Sequence, residues 1–474
     1  MFRLPLSVCS TELGAELIGD DKDINSVSID TRKLSAGDLY VAIRGDRFDG
    51  HQFVNDAIAK GARSVVVDQS FDASVLSTSD VSVLQVDDTR RALGGIASLW
   101  VAGLQVPTIA VTGSNGKTSV KEMLAAILNQ LGPTLATEGN LNNEIGVPLT
   151  LLSLRPEHQY AVVEMGANHV GEIRQLTALT QPDVAVVTNI GAAHLEGFGS
   201  VEDIAAAKSE IYSGLSSSGF GVINADDQFY STLKEATEGF FTRTFGFHEN
   251  ADVRGTEPKV EQGYGFGRSN LQLTTLDQTW STPFSLLGRH NVMNALAATA
   301  AAQCLDVQRD SILAGLSSMQ AVSGRLQTVV GIESSTIIND SYNANPTSAK
   351  AAIDVLAGMS GDRHFVLGNM AELGADAANW HAQIGAYAKE QGVNHLWTTG
   401  DLAQYASNAF GSRTHFETQA ELVMAIETQL SDASIVLVKG SRSSQMEVVV
   451  RALMEPQMRD TSTVTIDLAE GIPS

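Results

Sequence analysis

Short apolar runs separated by polar and glycine turns fill residues 1–100: "SVSID", "DLYVAI", "SVVVD" and "SVLQV". Alternation over so few positions, rich in valine, predicts strands, and the spacing suits a small mixed α/β unit. From "LQVPTIAVTG" onward the rhythm changes. Apolar runs ("TIAVTG", "YAVVEMG", "DVAVVTNIG", "FGVINADD") alternate with stretches of helical period. The first such helix is expected from about Lys117 to Gln130, with Val120, Met123, Leu124, Ile127 and Leu128 on or near one side. That alternation predicts a parallel sheet with helices on its faces over 101–320. Residues 248–288 interrupt it; they are polar, glycine-bearing and strand-like, and suit a β-meander on the edge. Over 321–474 the runs "STIINDSY", "HFVLGNM", "HLWTTG" and "SIVLVKGS" again alternate with helical stretches, as in a doubly wound, Rossmann-like unit. Its polar end, 456–474, reads as a loosely held tail. The expected fold class is α/β in three domains.

Composition narrows the function. At 474 residues the chain is too long for one core, and its 43% apolar content is that of a globular protein. The apolar runs fall well short of the roughly 18 residues of a membrane span, and the N-terminus lacks a signal-peptide core. The expectation is a cytoplasmic protein without a membrane partner. Two cysteines, Cys9 and Cys304, exclude a clustered-cysteine zinc site and make a disulfide framework untenable; each reads as a small buried hydrophobe. The net charge of −23 repels nucleic acid, so any anionic ligand must be held by local devices: loop amides, helix N-termini, a few cations or metal ions.

One such device is "AVTGSNGKTS". The usual phosphate loop is G-x-x-x-x-G-K-[ST]. Here Val111 stands where the first glycine belongs, and Gly113 opens a shorter G-x-x-G-K-T. The loop follows a strand-like run and opens a helix, so the amides of Gly113, Ser114, Asn115, Gly116 and Ser119 join Lys117 in facing an anion. The Thr118 hydroxyl can share a magnesium ion with the phosphates. The bland alternative is an ordinary strand-to-helix turn with a surface lysine. Glu164 ends the strand of "VVEMGANHVGE" and His194 follows the next strand, so both reach the same sheet edge. Each alone reads as structural; convergence shifts the balance. Lys208 in "AAAKSEIY" is a surface lysine or a lysine beside metal and phosphate. "TEGNLNNEIGVP" is an amide-rich ligand site or a hydrogen-bonded loop, and spacing does not choose. Beyond strands of the third unit, Asp340 and Asn343 in "NDSYNANP" take edge positions, and Lys439 and Arg442 in "VKGSRSSQME" form an anion cradle.

Together these motifs, with "GRHNVMNALAA", "SGRLQ" and the N-terminal "SIDTRKLSAGDLYVAIRGDRFDGHQF", resemble the Mur ligase family in content and order, from about Ser28 to about Val450. The shortened loop is a trait of that family. The resemblance implies an ATP-dependent amide ligase of the cytoplasmic stage of peptidoglycan precursor synthesis. Its substrates would be UDP-N-acetylmuramoyl-tripeptide and D-alanyl-D-alanine, the latter indicated by "GNLNNEIGVP" and "NDSYNANP". It implies ATP and two Mg2+ ions, with Thr118, Glu164 and His194 as ligands, joined by Lys208 if carbamylated. Asn294, Arg325 and Asp340 would serve ATP. Asp30, Thr31, Arg32, Arg47, Asp49 and His51 would hold the uridine nucleotide, and Asn142 and Asn143 the muramoyl part. Tyr342, Asn343, Lys439, Ser441 and Arg442 would close on ATP and dipeptide. Asn369 departs from the family's frequent aspartate, while Glu372 remains. Closure around three ligands predicts hinges near 100–106 and 318–324. The default oligomeric expectation is a monomer. Alternatives are a sister Mur ligase or folylpolyglutamate synthase, a plain P-loop kinase or ATPase, and a nucleotide-binding protein without catalysis.

Overall fold

A computed structural model describes residues 3–45, 48–76, 80–256, 269–276 and 278–456. The segment expected to be a tail lies outside them from residue 457 onward. The first sheet runs Glu16–Ile18, Ser82–Val86, Ser64–Asp68, Leu39–Val41, Val27–Ser28, antiparallel only between the first two strands. The four apolar runs of the first hundred residues supply four of its five strands.

The central sheet has nine strands in the order Gln278–Phe284, Ser269–Thr275, Val253–Gly255, Phe241–Gly246, Phe220–Asn224, Val184–Val187, Thr108–Thr112, Tyr160–Glu164, Thr134–Ala136. From Val253–Gly255 onward all neighbours are parallel, whereas the first two strands attach as an antiparallel edge. That edge is the predicted interruption, although Val253–Gly255 itself pairs in parallel. Side chains alternate across a strand, and the core follows. Ile109, Val111, Val162, Val184 and Val186 join helices Lys117–Leu128 and Arg289–Cys304 on one face. Ala110, Ala161, Val163, Ala185 and Val187 point to the other.

That second cluster does not stop at the central sheet. It continues through Leu93, Ile96, Ala97 and Trp100 of helix Thr89–Leu104 into Leu39, Val41, Val66 and Leu84 of the first sheet. The helix runs through residue 100 and ends at Gln105, whose left-handed backbone (φ 51°) turns the chain into the next strand.

The third sheet runs Gln327–Val330, Thr336–Asp340, Ser434–Lys439, Asp362–Leu367, His395–Thr399, His415–Phe416, parallel except at the first pair. In the central and third sheets alike, the loops after the parallel strands line one shared cleft. Crevices beyond the carboxyl ends of strands are where open α/β sheets take ligands.

Candidate active site

The short loop is shaped by what lies against it. Gly116 has φ +80°, and a Cβ there would lie 2.3 Å from Asn294 Oδ1. Gly113 abuts Thr188 so closely that a Cβ would sit 1.9 Å from its hydroxyl oxygen. Thr188 Oγ1 and Asn189 Nδ2 both donate to the Asn115 carbonyl, at 2.6 and 2.9 Å. Asn115 N donates back to Asn189 Oδ1 at 3.0 Å, and Ser114 N to the Asn189 carbonyl at 2.9 Å. Ser114 Oγ donates to the Gly191 carbonyl at 2.9 Å. The segment 188–191 is thus a brace for the loop. In the sequence it follows the apolar run of "DVAVVTNIG" and precedes His194; an amide side chain, Asn189, directly after a strand is the signal that marks it.

Lys117 Nζ curls onto the loop, donating to the Gly113 carbonyl at 2.7 Å. Desolvation pushes its ammonium below the usual lysine range; Glu164 opposes the shift and Arg325 adds to it. Glu164 is buried at the end of its strand. Its Oε1 accepts from Asn142 Nδ2 at 2.8 Å, while Oε2 is buried without a protein partner. A buried, half-satisfied carboxylate oxygen is costly, and it opens on the cleft that Thr118, His194 and Lys208 also line. The Thr118 hydroxyl and the Glu164 carboxylate are oxygen donors of the kind a hard divalent cation takes. Lys208 is buried, 5.4 Å from the Phe198 ring centroid. Burial first, then the Lys117 charge, push it down to about 7 against Glu172 and Glu210.

The third unit brings its cations to the same place. Arg325 Nη2 donates to Thr118 Oγ1 at 2.9 Å, and its guanidinium lies 4.3 Å from the Tyr342 ring centroid. Asp340 accepts from Leu326 N at 3.2 Å and pairs with Lys439, which also donates to the Asn343 carbonyl at 3.0 Å. Asn345 forms a capping box on helix Pro346–Ala357, and its Nδ2 reaches Asn115 Oδ1 at 2.8 Å. Glu372 contacts His194. Neither of these bridges is legible in the sequence, because partners far apart along the chain, 230 positions in the first case, carry no local signal. His290 also lines the cleft; burial pushes it down to about 4, with Asp340 opposing and Lys439 assisting, so it is neutral at pH 7.

Asn294, Asn142, Asn143, Tyr342, Asn343, Lys439, Ser441 and Arg442 all line the cleft as well. Asn143 Oδ1 is occupied in accepting from Ile145 N and Gly146 N at 3.2 and 2.8 Å, starting helix Gly146–Leu152. Arg442 pairs with Glu447 at 2.9 Å. Asn369 Oδ1 accepts from Leu402 N and Ala403 N, both at 3.0 Å, which caps helix Ala403–Phe410. That role needs an acceptor rather than a charge.

The described first-unit candidates, Asp30, Thr31, Arg32, Asp49 and His51, do not line this cleft. Asp30 and Arg32 pair at 2.9 Å near the surface, and the Thr31 carbonyl accepts from Lys60 at 2.9 Å. Asp49 caps the short turn Gly50–Phe53. His51 bridges Asp49, at 2.6 Å, and the amide of Asp68, at 3.0 Å. Arg47 lies outside the described residues.

Comparison with known proteins bears on all three units. Residues 23–100 match the Mur ligase family catalytic domain, 111–302 the Mur ligase middle domain, and 324–442 the Mur ligase glutamate ligase domain. The UDP-N-acetylmuramoyl-tripeptide--D-alanyl-D-alanine ligase of Escherichia coli (strain K12) is 43% identical over 468 residues, covering 96% of this chain and 99% of that one. The like-named ligase of Bacillus subtilis (strain 168) is 35% identical, covering 91% and 93%. A crystal structure of MurF from Acinetobacter baumannii superposes with TM-score 0.87 at 36% identity, covering 95% of this chain and 98% of its own. MurF ligase from Thermotoga maritima in complex with ADP gives 0.80 at 25% identity, covering 90% and 96%.

Proposed function

The chain belongs to the Mur ligase family, and from that premise we infer that it joins D-alanyl-D-alanine to UDP-N-acetylmuramoyl-tripeptide at the expense of ATP. The product is a peptidoglycan precursor. The observation that carries the reading is the near full-length identity to ligases of that name, laid over a cleft where loops of two sheets converge.

A carboxylate resists amine attack because its leaving group would be oxide. Transfer of the γ-phosphoryl group of ATP to the tripeptide carboxylate gives an acyl phosphate and ADP. The dipeptide amine then adds to the acyl carbon, loses a proton, and the tetrahedral intermediate expels phosphate as the amide forms. The first step brings two anions together, so cations and amides must offset their repulsion.

We assign Lys117 and the amides of 113–119 to the β- and γ-phosphates, with Arg325 and Asp340 near the phosphates and ribose and Asn294 at the adenine. Thr118 and Glu164 would hold one Mg2+, and His194 a second near the acceptor carboxylate; the ions supply charge neutralisation. The unpartnered Glu164 Oε2 supports this assignment. Lys208 would join them as a carbamate, and a lysine pushed down to about 7 has the neutral amine that reaction requires. Asp30, Thr31, Arg32, Arg47, Asp49 and His51 are proposed for the uridine nucleotide, and Asn142 and Asn143 for the muramoyl part. Tyr342, Asn343, Lys439, Ser441 and Arg442 would serve the dipeptide and ATP from the third unit. The division into 1–100, 101–320 and 321–474 is proposed to match uridine nucleotide, ATP and closure. We place the protein in the cytoplasm as a monomer; no helix among the described residues is long and apolar enough to cross a membrane.

The test is phosphate release from ATP with UDP-muramoyl tripeptide, with and without D-alanyl-D-alanine, and the product weighed. Release requiring both substrates, with a product heavier by the dipeptide less water, is expected. Release without the dipeptide would move the protein to a sister ligase or an ATPase.

A further inference from the structure

Two residues that are not glycine adopt left-handed backbone where the middle and third units meet: His194 at φ +55° and Glu372 at φ +60°. Such a conformation is unfavourable for a residue with a side chain and persists where surrounding structure imposes it. The two face each other. Glu372 Oε2 is in ion-pair contact with His194 Nδ1, a contact rather than an aligned hydrogen bond. The Glu372 carbonyl accepts from Glu196 N at 3.3 Å, so the same residue grips the segment by backbone and side chain. Among the described residues, no other side chain makes polar contact with the His194 ring. The described residues of the middle unit therefore offer this imidazole no polar side-chain partner.

We propose that Glu372 is a positioning residue through which the third unit, on docking, sets the tautomer and orientation of His194. When Glu372 closes on the ring so that Nδ1–H donates a hydrogen bond to its carboxylate, the imidazole keeps its lone pair on Nε2. Carboxylates placed behind histidines in this way fix the ring and raise its basicity as a ligand. The consequence is that the His194 side of the cleft is complete only when the third unit is in place. A misdocked third unit leaves the acceptor end of the site unformed. The inference rests on the ligase reading for the meaning of His194, but its geometry does not.

The test uses the full chain labelled with 15N-histidine, with His194 assigned by loss of its signals in His194→Asn. In the wild type, the expected pattern is Nδ1 protonated and Nε2 unprotonated, sharpened by a non-hydrolysable ATP analogue. In Glu372→Ala the tautomers should mix. The turnover rate kcat should fall about 10- to 100-fold, the range for residues supporting a ligand histidine, with KM for ATP within about twofold. Glu372→Gln, whose amide oxygen still accepts a hydrogen bond, should recover part of both, and melting temperatures should match the wild type. Histidine signals indifferent to Glu372, with and without the analogue, would overturn the proposal, as would an unchanged kcat in Glu372→Ala. Should ligation itself fail, the spectrum still decides the role of Glu372.

Discussion

An ordinary lysine carries its proton throughout the physiological range, whereas burial pushes Lys208 down to about 7, so it sheds its proton near neutrality. Its neutral fraction rises through that pH, so a carbamate formed with dissolved carbon dioxide should grow between pH 6 and 8. The measurement is the carbamate carbonyl signal in 13C-bicarbonate; it should vanish in Lys208→Arg, and a wild-type signal absent until pH 9 would contradict the assignment. The linkage sign is fixed by the same shift. Between about 7 and 10.5 the unfolded chain holds the extra proton, so this residue's burial cost is full below 7 and is relieved as pH rises. Lys117 makes a simpler case. Lys117→Ala removes a point charge from the phosphates and should lower kcat/KM for ATP by about 10²- to 10³-fold, with the melting temperature little changed. Sequence showed that both lysines were candidates. It did not show the enclosure that distinguishes Lys208 from a surface lysine, because Phe198 and Glu172 are brought around it by the fold.

Elements were legible where periodicity was strong and illegible where one element steadies another. The strands Thr108–Thr112, Tyr160–Glu164 and Val184–Val187 follow from runs of buried β-branched residues. The brace from 188–191 under the loop does not, since it depends on the register that sets those strands side by side. Gly116→Ala tests the loop. A Cβ 2.3 Å from Asn294, in a left-handed backbone, adds strain of about 1–3 kcal/mol. ATP affinity measured by calorimetry should drop roughly tenfold or more. Asn369→Asp tests the departure from the family pattern. The side chain would keep both amide hydrogen bonds and add a negative charge at a helix N-terminus. Stability should rise by about 0.3–1 kcal/mol at low salt, with activity unchanged; a fall in melting temperature would show that the amide does something further.

Across the described residues of the whole molecule, the third unit reaches the middle one through polar bridges from Arg325 to Thr118, Asn345 to Asn115, and Glu372 to His194 and to the Glu196 amide. The closure expected of three ligands at this junction would take up its swing at the connection near 318–324. X-ray scattering should show a smaller radius of gyration with an ATP analogue and UDP-muramoyl tripeptide than without; equal radii would count against closure. Water kept from an acyl phosphate is the purpose such closure serves.

The other junction is of a different kind. The first and central sheets share one apolar cluster threaded by helix Thr89–Leu104, with no seam at residue 100. What the sequence divides into three, a protease would divide into two. A fragment ending near 100 would lay bare an oily face and precipitate. A cut near 320 should instead release two soluble pieces, and these could be mixed again to restore ligation as a split enzyme.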